Sequence, residues 1–177
     1  MRIVVFLILA GAIAVIPASV PAQEVRADRG MAAMQKLSFW EGRWEGEGWM
    51  RRGPDAPSRF RSLELVEARL NGRVMLVEGL HHAATNPDEL VHHALGVVSF
   101  DPESGAYRFR THLSSGQSGD FGMRLEDGAV VWGMETPRGK IRYTILVQDA
   151  EWHEVGHLSP DGETWSQFFQ MDLKRVD

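Results

Sequence analysis

The sequence predicts an all-β fold, a ten-strand antiparallel up-and-down β-barrel with a short N-terminal helix. Three observations carry that expectation. First, the run Phe39 to Trp49 alternates with period two, with Gly42, Trp44, Gly46 and Gly48 on one face and Arg43, Glu45, Glu47 and Trp49 on the other. A thin inner face bearing one large aromatic suits the first strand of a small barrel. Second, turn signals punctuate the rest of the chain: Asn71-Gly72, Asp101-Pro102-Glu103-Ser104-Gly105, Asp127-Gly128, Pro137-Arg138-Gly139 and Ser159-Pro160-Asp161-Gly162. Asn-Gly and Asp-Gly readily supply the positive φ of tight hairpins. Third, the links between strands are short, so neighbours in sequence pair in space and closure removes the open edges.

A different kind of segment comes first. Met1-Arg2 is basic, Ile3 to Ile16 is apolar, and Val20-Pro21-Ala22 offers small residues. This pattern reads as a secretory signal peptide, residues 1–22, with cleavage expected after Ala22. The apolar run is short for a membrane span, so no retained span is expected. The mature chain, 23–177, is then one exported domain, periplasmic or secreted, large enough to bury a core of its own.

Met31, Met34 and Leu37 at helical spacing place the short helix between about Asp28 and Leu37. Strands are expected near 41–51, 58–70, 73–82, 91–100, 106–114, 120–126, 129–136, 139–148, 151–158 and 164–174. The absence of cysteine excludes disulfides, thiolate catalysis and cysteine metal sites. A net charge of −5 without a basic block argues against nucleic acid as a partner.

Gly42-Arg43-Trp44 in the first strand resembles the Gly-x-Trp signature of the calycin barrels: lipocalins, fatty-acid-binding proteins and the heme-binding nitrobindins. Strand count and short lead-in are closer to the last two. The chain also resembles exported bacterial proteins of the domain-of-unknown-function 1579 family. The matching pieces are Gly42-x-Trp44, Leu70-Asn71-Gly72-Arg73, Gly96-Val97-Val98-Ser99-Phe100-Asp101 before Tyr107, and Ser159-Pro160-Asp161-Gly162-Glu163-Thr164-Trp165. The resemblance implies a barrel with an internal pocket. It further implies a basic residue of the last strand, Lys174 or Arg175, covering Trp44. From the nitrobindins it implies heme held by a histidine of the later strands, where His153 and His157 stand.

His153-Glu154-Val155-Gly156-His157 matches the zinc-protease pattern H-E-x-x-H. That chemistry needs a helix, and Ser159-Pro160-Asp161-Gly162 breaks the chain at once. On a strand the two histidines lie roughly 13 Å apart and Glu154 points the opposite way, so a zinc protease is not expected. The segment Ser159 to Trp165 also resembles a sialidase Asp-box hairpin. It is one residue short and occurs once, so it reads as a structural turn.

Pairing the hairpins through their turns sets Ala68 opposite Met75, Val66 opposite Val77, Glu64 opposite Gly79 and Ser62 opposite His81. It sets Phe100 opposite Tyr107, Val98 opposite Phe109, Met123 opposite Trp132 and Phe121 opposite Met134. A tight Asp149-Ala150 turn sets Val147 opposite Trp152, Ile145 opposite Glu154 and Tyr143 opposite Gly156. In the last strand Trp165, Gln167, Phe169 and Met171 form the more apolar face. The interior so defined is aromatic, with Glu64, His81, His92, Tyr143, Glu154 and Gln167 as its polar groups.

Two readings of that interior stand: a small-molecule pocket, or a packed core whose polar groups satisfy one another. As a pocket, it takes a small apolar or amphipathic molecule. Trp44, Phe109, Trp132, Tyr143 and Phe169 supply contact area; Glu64, His81, His92, Glu154 and Gln167 orient a polar end. The alternative is an enzyme on the same barrel, using Glu154 with Tyr143 or a histidine-bound metal or heme. His81-His82 and His92-His93 flank a loop expected from Ala83 to Leu90. There His81 and His92 would face each other with Cβ atoms about 5 Å apart, close enough to share a metal ion or flank a heme.

Overall fold

Closure of the sheet is the central fact of the fold. The structure is a computed structural model that describes residues 22–176, with side chains from Arg29 onward; the expected signal peptide and its cleavage site lie outside these residues, apart from Ala22. Helix α1 spans Ala22–Gln35, and a 3-10 turn, Ser38–Trp40, leads into the sheet. The strands are β1 Gly42–Met50, β2 Ser58–Arg69, β3 Val74–Ala83, β4 Asn86–Asp101, β5 Ala106–Leu113, β6 Ser118–Glu126, β7 Ala129–Thr136, β8 Gly139–Gln148, β9 Glu151–Ser159 and β10 Ser166–Val176. Each pairs antiparallel with its sequence neighbours, and β1 pairs β10 to close the barrel. No helix among the described residues is long and apolar enough to cross a membrane.

The expected register holds at Glu64–Gly79, Ser62–His81, His81–His92, Val98–Phe109, Met123–Trp132, Ile145–Glu154 and Tyr143–Gly156. Local alternation and turn chemistry suffice there, because each turn sets the partner of every following residue. Leu70, Asn71, Asp127, Asp149 and Ala150 do adopt positive φ at these turns.

Four details differ. The helix begins at Ala22 rather than Asp28, since no breaker stands between Ala22 and Arg29. The loop expected over Ala83 to Leu90 is mostly strand. A two-residue turn at Ala84-Thr85 is followed by a bulge, with His82 pairing Leu90 and Ala83 pairing Asn86. The proline at position 87, which has no N–H to donate, falls inside that bulge. The β6–β7 ladder stops at Met123–Trp132, so Phe121 and Met134 are not ladder partners. Finally, the β9–β10 register shifts between Gln167 and Phe169, breaking the alternation of the last strand.

Helix α1 and the 3-10 turn plug one end. Met34, Leu37 and Trp40 are buried there, and the Tyr107 hydroxyl donates to the Ala33 carbonyl at 2.7 Å. Beneath them three tryptophans form a floor. Trp152 meets Trp40 edge-on at 5.2 Å and Trp44 at 5.7 Å; each such pair contributes about 0.5–1.5 kcal/mol beyond its buried area. Trp44 Nε1 donates to the Trp40 carbonyl at 3.1 Å. Arg175 lies over the Trp44 ring at 4.4 Å and donates to the Phe39 carbonyl at 2.7 Å, so the covering cation is Arg175 rather than Lys174. Lys174 points outward, toward Glu151.

Candidate functional site

Above the tryptophan floor the barrel holds a cavity of about 550 Å³. Met50, Leu113, Gln117 and Ser118, at the end of β1 and around the β5–β6 turn, line one end of it. One wall is aromatic. Trp132 stacks on Tyr143 at 4.5 Å, meets Phe109 edge-on at 4.9 Å and lies 5.6 Å from Phe121, while Phe169 packs 5.7 Å from Tyr143. Glycines make room for these rings: a Cβ on Gly96 would stand 2.3 Å from the Phe109 ring, and one on Gly156 2.9 Å from that of Tyr143.

The opposite wall is polar and comes from β2, β3 and β4. Glu64 Oε1 accepts from Ser62 Oγ at 3.0 Å and lies 3.0 Å from His81 Nε2. The His81 ring is stacked on Phe60 at 4.4 Å and sits 5.0 Å from that of His92. From β9, Glu154 Oε2 accepts from Trp152 Nε1 at 3.2 Å. Period-two alternation turns each of these side chains inward, and closure, which leaves only β1 and β10 between β2 and β9, brings Glu154 near Glu64.

These groups are far from their ordinary ionisation. Burial pushes the Glu64 carboxyl up to about 8, against a smaller lowering by Ser62. Burial and the nearby Glu64 charge push Glu154 up to about 8. Burial, with neighbouring positive charge, holds His81 and His92 down at about 4. The Tyr143 hydroxyl is raised, by burial first and by Glu154 second. At neutral pH the chamber is thus close to uncharged but rich in groups able to donate, accept or release a proton.

Of the residues singled out in the sequence, Glu64, His81, His92, Phe109, Trp132, Tyr143, Glu154 and Phe169 line this one cavity. Two fall elsewhere. Trp44 belongs to the floor beneath it, fully buried against Trp152. Gln167 is exposed and donates to Gln170, because the register shift after it turns its side chain outward. Thr111 lines the cavity although it was not singled out, and the alternation through Tyr107 and Phe109 was a sufficient signal for it. Trp40 also lines it, but from the 3-10 turn, where no periodicity announces it.

The H-E-x-x-H segment lies on β9. Glu154 is inside, whereas His153 is outside with Nδ1 2.5 Å from Asp172 Oδ1, and His157 lies beside Arg142. Neither histidine reaches the cavity, so the late-strand residues present do not fit the heme ligation that the nitrobindin resemblance implies. His81 already faces Glu64, and among the described residues no three His, Asp or Glu side chains converge as a metal site. Asp161 organises its turn by accepting from Ser159 Oγ and the Glu163 and Thr164 amides, which holds its carboxyl down at about 2.

No family model matches the chain, and no curated protein matches its sequence. Among solved structures it is similar to Rv2717c from M. tuberculosis, at 14% identity over 82% of this chain and 98% of that one, with a TM-score of 0.61. It is also similar to the S-type phycobiliprotein lyase CPES from Guillardia theta, at 9% identity over 89% and 98%, with a TM-score of 0.54. The fold is calycin-like. At these identities the likeness speaks for the fold alone.

Proposed function

We propose that this protein binds a small apolar or amphipathic molecule inside its barrel, and that it does so as an exported protein of the domain-of-unknown-function 1579 kind. The observation that carries the binding reading is the cavity of about 550 Å³, aromatic on one wall and sparsely polar on the other. Apolar walls with a few convergent polar groups are the usual composition of a small-molecule site. A core built only for stability would fill such a volume, since voids cost packing energy. Trp132, Phe109 and Phe169 supply contact area, and Glu64, Glu154, His81 and His92 meet a polar end. The leader-like Met1 to Ala22 segment supports export.

The test is purification from the native host, followed by native mass spectrometry and an absorption spectrum. A co-purifying small molecule supports binding, a bound pigment shows itself in the spectrum, and an intact mass beginning at Gln23 supports export. A chain that emerges empty and excludes the neutral dye Nile red overturns the binding reading. A second reading, an enzyme on the same barrel, is favoured by the raised carboxyls of Glu64 and Glu154 beside Tyr143. Turnover of the co-purified molecule that Glu154→Gln abolishes would establish it.

A further inference from the structure

We propose that the ligand is a cationic amphiphile, a primary or secondary amine whose ammonium group sits between Glu64 and Glu154 and whose apolar part lies against Trp132 and Phe169. This rests on the binding reading and names the ligand class it implies.

The first support is the set of charges the cavity contains and lacks. Its ionisable groups are Glu64 from β2, His81 from β3, His92 from β4, Tyr143 from β8 and Glu154 from β9. Among the described residues no lysine or arginine lines it. Arg175 is committed to Trp44 and the Phe39 carbonyl below the floor, and Arg142 lies over Trp165. Arg52 bears on His92, but an anionic head placed between Glu64 and Glu154 would enter beside two carboxyl groups with no lysine or arginine of the lining to meet it. Burying an unpaired charge in that way is strongly unfavourable.

The second support is unspent hydrogen-bonding capacity. Glu64 and Glu154 are 6% and 7% exposed. Among the described residues only Oε1 of Glu64 and Oε2 of Glu154 are hydrogen-bonded, and the remaining oxygens are not among the fully enclosed unpartnered atoms. Each carboxyl therefore keeps one oxygen for an occupant of the cavity. Packing alone does not require two buried acids, which a pair of amides or leucines could replace at lower cost. The third support is the stacked Trp132–Tyr143 pair, which offers the apolar part of the ligand a broad aromatic contact surface.

On binding, the amine enters as R–NH₃⁺ and one carboxyl, protonated while the site is empty, releases its proton to solvent. The product is an ammonium–carboxylate pair beside one remaining carboxylic acid. Charge balances, and one proton is released for each amine bound.

The experiment uses protein freed of co-purified molecules and three probes of equal chain length: dodecylamine, dodecanol and dodecanoic acid. Each displaces Nile red at pH 7.5. The amine should bind at least about tenfold more tightly than the alcohol, as expected of a charge-assisted contact, and the acid should be weakest. Calorimetry in two buffers of different ionisation enthalpy should show about one proton released per amine, and amine affinity should rise between pH 6 and 8. Glu154→Gln and Glu64→Gln should each erase most of the amine preference, read as the ratio of amine to dodecanol affinity measured on the same variant. The pH dependence of the unmodified protein tests the idea even where a variant does not fold. Equal binding of amine and alcohol, a preference for the acid, or amine affinity that falls from pH 6 to 8 overturns the proposal. Exclusion of all three probes and of Nile red overturns the binding reading itself.

Discussion

Raising the pH from 6.5 to 8 should destabilise this protein, and the size of the loss can be worked from four side chains. Unfolded, the carboxyls of Glu64 and Glu154 titrate near 4.5 and the imidazoles of His81 and His92 near 6.5. Folded, the carboxyls are raised to about 8 and the imidazoles lowered to about 4. Between pH 4.5 and 6.5 the unfolded chain carries its protons on the histidines and the folded chain carries as many on the glutamates. The two states bind nearly equal numbers, so stability is nearly flat with pH. His157, lowered by burial and by Arg142, adds a slight upward tilt. Above pH 6.5 the unfolded histidines are empty while the folded carboxyls still hold protons, so stability falls.

Two retained protons would set a slope of about 2.7 kcal/mol per pH unit, but the unfolded histidines and folded carboxyls are each half titrated at the ends of the window, so the excess averages about 1.2 protons and the loss between pH 6.5 and 8 is about 2.5 kcal/mol. If one of the two coupled carboxyls ionises early, the loss is about half that. The count does not depend on whether Glu64 or His81 holds the proton they share across 3.0 Å, since either arrangement binds one. The assay is urea unfolding at half-unit intervals from pH 4.5 to 9, repeated for Glu154→Gln. Flat stability followed by decline, with a shallower decline in the variant, is expected. A rise from pH 6.5 to 8, or a decline the variant leaves unchanged, refutes the assignment of buried protonated carboxyls.

Three further outcomes follow from the geometry. Gly79→Ala should cost about 1–3 kcal/mol and shallow the same pH slope, because a Cβ there stands 2.6 and 2.7 Å from the two Glu64 oxygens; urea unfolding at pH 6 and 8 measures both. Arg175→Ala should lower stability by about 1–2 kcal/mol, through loss of the Trp44 contact and the bond to the Phe39 carbonyl, without altering Nile red uptake. His153→Ala and His157→Ala, which alter the H-E-x-x-H pattern outside the cavity, should leave thermal stability within about 1 kcal/mol and probe binding unchanged; loss of binding in either would place them in the site after all.

The barrel was largely legible in the sequence because its signals are local. A strand's two faces follow from residues two apart, and a hairpin's register follows from the turn that joins its strands. Tyr143, Glu154, Phe109 and Trp132 could therefore be turned inward from alternation alone. The same logic misplaced Gln167, because a bulge interrupts alternation without a sequence mark of its own. It also misread the approach to Leu90, where a bulged continuation of β4 takes the place of the expected loop.

By itself the sequence determined an antiparallel meander, its inward-facing residues and the outward placement of His153, since all of these repeat with a period of two. Only the tertiary structure decided what those residues meet. Closing β1 on β10 is a contact between chain ends, and no local pattern encodes how far the barrel rotates as it shuts. That rotation sets Arg175 rather than Lys174 over Trp44, makes a floor of Trp40, Trp44 and Trp152, and brings Glu154 near Glu64. It also leaves the space above that floor open, because the volume of a cavity is what remains after every strand has taken its place.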